Sequence, residues 1–244
     1  MPPAPAGAET FAMKHVPYFL LANSAALFPY CVYRVFLMTP IEREMGTAQK
    51  IFYFHVPLAW ICMLFAMVCG IAAAVQLRRR SERAEALAVA AGEMTVLAGL
   101  GVLITGPIWG DATWGTPWTG DARQVSTALL WMIFVAYLLV RRFGPANSER
   151  LAAALAIFGA IDVPIIYYAV KIWKTTHPSN TVVGSLPQTM WNSLWWCLGA
   201  LLLLAISLVW IRARQERIAI GLDEAWIEAD ERDPNPAAAV PARA

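Results

Sequence analysis

A chain of 244 residues that is 59% hydrophobic and only 15% charged, with a mean hydropathy of +0.52, is excluded from the class of ordinary water-soluble globules. Its formal net charge of +2 is too small to imply a nucleic-acid partner, and its four cysteines form no CxxC or CxxCH pairing. The apolar residues arrive in blocks of the roughly 20 residues that a helix needs to cross a bilayer. The fold expected is therefore all-α, a polytopic membrane helical bundle of about six transmembrane helices.

Residues 1–16 begin with the Pro/Ala-rich stretch MPPAPAGAET and are expected to be a disordered N-terminus. The first apolar run, 17–38, is longer than the h-region of a removable signal peptide and reads as a retained span. The second, near 50–77, contains YFHVPLAW, which sets His55 close to its start. The third, 84–108, leads into WGDATWGTPWTGDAR at 109–123, a tryptophan-rich loop between apolar runs. Spans at 124–142, 151–171 and 190–211 follow, together giving a transmembrane domain over 17–211. The remainder, 212–244, is a charged tail, with a short helix expected at 213–232 and disorder from 233. Cys31, Cys62, Cys69 and Cys197 fall inside spans and are expected to be packing residues.

Basic residues set the orientation. Arg78, Arg79, Arg80, Arg83, Arg141, Arg142, Arg150, Arg212, Arg214 and Arg217 follow the even-numbered spans, whereas the other loops hold only Arg43, Lys50, Arg123, Lys171 and Lys174. The positive-inside rule then makes both termini cytoplasmic and turns 39–49, 109–123 and 172–189 outward.

That topology brings two of the three histidines, His55 and His177, to the same side as the tryptophan segment, leaving His15 on the other. Each is either an interfacial histidine bonded to nearby backbone or a metal ligand; two imidazoles saturate a haem iron axially and give a low-spin, six-coordinate centre. Trp109, Trp114 and Trp118 are either interfacial belt residues or a flat apolar shelf. Gly110, Gly115 and Gly120 favour the shelf, because they let the backbone turn and approach a planar ligand closely. Arg123 offers a forked donor for a carboxylate such as a haem propionate, with a pair to Asp121 or Asp111 as the rival. Within the spans, Arg34, Glu93 and Asp162 must face the bundle or an interface, and a buried Arg34–Asp162 pair is one arrangement.

FHVPLAW at 54–60, GPIWGDATWGTPWTGDAR at 106–123 and DVPIIYYAVKIWKTTHPS at 162–179 together resemble the haem-handling protein family and, within it, the CcmC branch of bacterial cytochrome c maturation. The family signature reads approximately WGTWWVWDAR. Trp114, Gly115, Thr116, Trp118, Asp121, Ala122 and Arg123 match it, while Pro117 and Gly120 stand where the family commonly has tryptophan.

The resemblance implies His55 and His177 as iron ligands, with Trp109, Trp114, Gly115, Trp118, Asp121 and Arg123 completing the site. It implies haem b as transferred cargo, held at the periplasmic face of the cytoplasmic (inner) membrane and presented to the haem chaperone CcmE. CcmA, CcmB and CcmD would complete an ABC-type complex; no Walker loop occurs in this sequence, so ATP hydrolysis would fall to a partner. No enzymatic step of its own is implied. The competing readings are a transporter of another small molecule with Arg34 and Asp162 along its path, a membrane enzyme using Asp111 or Asp121, and a related haem-handling assembly protein.

Overall fold

The computed structural model describes residues 11–145, 147–173, 176–177 and 186–232. Six long helices organise them: α1 (Phe11–Tyr33), α2 (Phe52–Arg79), α3 (Glu82–Trp114), α4 (Ala122–Phe143), α5 (Glu149–Ile172) and α6 (Gln188–Arg232). All six are long and apolar enough to cross a membrane, and no β-strand occurs among the described residues. The chain is an all-α, polytopic helical bundle.

α2 and α3 form the centre, joined by the two residues Arg80 and Ser81. Arg80 takes the left-handed conformation that ends α2, and the Ser81 hydroxyl accepts from Ala84 N to start α3. α5 packs on α2, α4 on α3 and α5, and α6 on α1, α2 and α3. Small side chains make this close packing possible: Ala66, Cys69, Ala72 and Ala73 of α2 meet Ala90, Ala91 and Ala98 of α3 and Ala152, Ala153 and Ala156 of α5 in one buried cluster. At Gly70 a β-carbon would overlap Ala160 Cβ and lie 3.0 Å from the Ala156 carbonyl oxygen, so α2 and α5 touch backbone to backbone. Leu64, Ile71, Leu97, Ile104, Phe158 and Ile161 point outward, as a lipid-facing surface requires.

A second cluster joins α1, α2 and α6 through Cys31, Val35, Tyr53, Met190, Leu194 and Cys197. Here α1 ends in a wider turn, Arg34–Met38, whose carbonyls need partners. Thr39 donates to the Arg34 carbonyl, and buried Lys50 donates from its Nζ to the carbonyl of Val35, at 2.8 Å, and, just past the turn, to that of Thr39. The Thr39 hydroxyl lies 2.7 Å from that of Ser193, tying the same end to α6. All four cysteines are buried and free.

The sequence expectations need correction in four places. α1 begins at Phe11, so 11–16 is helical, while 1–10 and 233–244 lie outside the described residues. α3 continues through Trp114 and α4 starts at Ala122, which reduces the expected loop 109–123 to 115–121. α6 runs unbroken to Arg232, so 212–232 extends the last span instead of forming a separate element. In each case a helix already nucleated propagates at small cost until a breaker such as Gly115 stops it, whatever the polarity of the added residues. Finally, Arg34 and Asp162 are not paired. Arg34 donates to the Tyr30 hydroxyl at 3.4 Å, and Asp162 is buried without an ion pair among the described residues. The interhelical ion pairs are instead Arg141–Glu85, at 2.5 Å, and Arg212–Glu93, at 2.8 Å.

Candidate functional site

The start of α2, the end of α3, the start of α4 and the end of α5 meet at one end of the bundle around a cleft that is partly open to the exterior. His55, His177, Trp109, Trp114, Trp118 and Arg123 all line it, against apolar walls that include Val56, Met63, Val102, Leu130 and Ile166.

His55 lies in the first turn of α2, and its ring rests on α3. Nδ1 is 2.8 Å from the Thr105 hydroxyl, which donates to the Gly101 carbonyl at 2.7 Å. A β-carbon on Gly106 would approach His55 Cε1 to 3.2 Å, so the missing side chain there makes room for the imidazole. His177 reaches the cleft from the connection between α5 and α6. Its backbone N–H donates to Asp121 Oδ2 at 3.3 Å, and the neighbouring Thr176 hydroxyl donates to the same oxygen at 3.0 Å. Asp121 Oδ1 meanwhile caps α4 by accepting from Gln124 N at 2.9 Å. One carboxylate thus fastens the His177 segment to the start of α4.

The tryptophans form a cluster. Trp109 and Trp114 meet edge to face with centroids 4.8 Å apart, and the Trp109 ring lies 6.5 Å from that of His177. Trp109 Nε1 is a buried donor with no acceptor among the described residues, so a bound ligand that brought one would relieve a real deficit. Trp118 is half exposed at the rim. Arg123 forms no ion pair among the described residues, the rival Arg123–Asp121 pair included; the Asp121 oxygens accept instead from Gln124 N, the Thr176 hydroxyl and the His177 N–H.

Gly115 and Asp121 lie outside the cleft lining. Gly115 ends α3 with φ +70° and donates to the Asp111 carbonyl at 2.9 Å, which turns the chain back toward the cleft. Gly120, at φ +72°, makes the second turn. Between them Gln124 Oε1 accepts from Thr119 N, the Thr119 hydroxyl and Gly120 N at 2.8–3.1 Å, fixing the loop that carries Trp118.

This geometry has relatives. Residues 3–228 match the family model CcmC, described as heme exporter protein C. The chain belongs to the CcmC family. Heme exporter protein C of Escherichia coli strain K12 is 28% identical over 216 residues, 87% of each chain. That of Rhodobacter capsulatus is 26% identical over 208 residues, 82% of this chain and 86% of the relative. That of Bradyrhizobium diazoefficiens is 34% identical over 148 residues, 60% of this chain and 56% of the relative, so the match there spans little more than half the relative's length.

In this CcmC-family chain, sequence reasoning missed Thr105, Gly106 and Gln124. Gln124 was legible: Asp121-Ala122-Arg123-Gln124 has the spacing of a capping box, N-cap acceptor and N3 amide. Thr105 carried no such signal, because its partner His55 is fifty residues away.

Proposed function

We propose that this chain binds haem b as cargo between His55 and His177, at the outer face of the bacterial cytoplasmic membrane with both termini cytoplasmic, and presents it to CcmE within a complex of CcmA, CcmB and CcmD. What carries the reading is the convergence, on one largely apolar cleft, of two imidazoles from separate elements, a guanidinium outside any ion pair among the described residues and three indoles. Relatives bearing the name heme exporter protein C lend it weight. Apolar walls and indole faces suit a porphyrin, and Arg123 suits a propionate. Axial coordination by two neutral imidazoles would hold the iron without consuming it, as handing over a cargo requires. The role is holding and delivery, with no bond of the cargo made or broken by this chain.

The experiment is an absorption spectrum of purified protein loaded with haem, beside His55→Ala and His177→Ala. A six-coordinate, low-spin spectrum in the parent, with loss of that state or of haem in each variant, is expected. If both variants retain parental spectra and haem content, the assignment fails.

A further inference from the structure

The Thr105 hydroxyl has one proton and two neighbours competing for it, the Gly101 carbonyl at 2.7 Å and His55 Nδ1 at 2.8 Å. A carbonyl oxygen only accepts. Were the proton turned toward Nδ1, two oxygens bearing lone pairs would face each other at 2.7 Å with nothing between them. Turned toward Gly101, as threonine commonly bonds back to the carbonyl four residues earlier in a membrane helix, the hydroxyl has only lone pairs left to offer the imidazole. His55 must then supply the proton itself, from Nδ1. A neutral imidazole protonated at Nδ1 is unprotonated at Nε2.

We propose that Thr105 is the positioning residue for His55: with its own proton committed to Gly101, its hydroxyl fixes the His55 proton on Nδ1 and leaves Nε2 as the nitrogen open to a metal in the cleft. This deepens the haem reading and rests on it for the identity of the metal. Gly106 contributes by geometry, since the ring edge at Cε1 sits where a side chain would otherwise stand. The tautomer is therefore set by the protein before any cargo arrives. An imidazole whose Nδ1–H is bonded is also the stronger electron donor at Nε2. None of the sequence motifs contains this residue, because Thr105 lies in the apolar stretch before the signature.

The test has a cargo-free and a loaded arm, each on the full chain and on Thr105→Val, which keeps the shape and removes the hydroxyl, and Thr105→Ser, which restores it. In the cargo-free arm, nitrogen-15 spectra of histidine-labelled protein should show His55 with Nδ1 protonated and Nε2 bare. Thr105→Val should mix the tautomers, and Thr105→Ser should recover the parental pattern. In the loaded arm, Thr105→Val should weaken haem binding by about tenfold, the low end of the 10–100-fold loss typical when the outer partner of a ligating histidine is removed. It should also raise the haem reduction potential, because a poorer imidazole donor stabilises ferric iron less. Parental His55 protonated on Nε2 overturns the proposal while leaving the haem reading intact. So does Thr105→Val with parental tautomer, affinity and potential, or Thr105→Ser behaving like Thr105→Val throughout. Failure of the haem reading looks different: His55→Ala then keeps the parental loaded spectrum, whatever the tautomer of His55.

Discussion

Asp121 does two jobs with two oxygens, and Asp121→Asn separates them. Asparagine is about as good an N-cap as aspartate, and the positive end of α4 favours the amide oxygen at the cap beside Gln124 N. The amide nitrogen then replaces Oδ2 and sets a donor against two donors, the His177 N–H and the Thr176 hydroxyl. Both hydrogen bonds of the tether are lost. Each is partly or fully solvent-exposed, so about 0.5–1 kcal/mol apiece is appropriate, or about 1–2 kcal/mol together. Since each 1.4 kcal/mol is a factor of ten, the His177 segment should open about 5–30 times more often. Hydrogen exchange at the His177 amide in the cargo-free protein measures this directly, and it should accelerate by that factor. Thermal stability should stay near the parental value, whereas Asp121→Ala, which removes the cap as well, should lose about 1 kcal/mol more. Haem affinity should fall by no more than the opening factor, because only the docked fraction is competent to bind. Unchanged exchange at His177 in Asp121→Asn, or a loss of stability equal to that of Asp121→Ala, would refute the reasoning.

Gly70→Ala should destabilise the protein by about 1–3 kcal/mol in detergent melts through overpacking against α5, and adding Ala160→Gly should recover much of the loss; additive effects would count against the close contact. Lys50→Met should cost about 1–3 kcal/mol for each carbonyl left without its donor, at Val35 and Thr39, and parental stability in melts would show that water takes over. A cysteine at Thr119 should react with impermeant reagents in whole spheroplasts; labelling only from the cytoplasmic side of inverted vesicles would reverse the proposed topology. On the haem reading, Arg123→Lys should slow transfer to CcmE more than it weakens haem binding, because a point-like ammonium replaces a fork, and normal transfer rates would remove the propionate role.

Span number and type were legible because apolar blocks of bilayer length have few other uses. Helix ends were not, since beyond the hydrocarbon no hydropathy signal marks where the hydrogen-bond ladder stops: α3 keeps Trp109 and Trp114 helical and α6 carries Asp223 and Glu228. At the cleft, His55, His177 and Arg123 meet at the end of the bundle that their loops share, a grouping that follows from the number of spans between them. Gly115 and Asp121 were found for a different reason: they belong to the same short segment, yet their work is to shape and tether it. Arg34 and Asp162 illustrate the limit. Sequence gives each its depth along a helix but not its bearing around the bundle, and α1 packs on α6 whereas α5 packs on α2 and α4.

Among the described residues, every one that lines the cleft falls between His55 and His177, on α2 to α5 and their connections; α1 and α6 contribute none of these. The described lining therefore leaves the ribosome ahead of α6. α1 waits through that interval with Cys31 and Val35 lacking the partners that Leu194 and Cys197 later bring. The order of synthesis consequently delivers the helices that line the cleft first, and the partner that pairs the first helix with the last only afterwards.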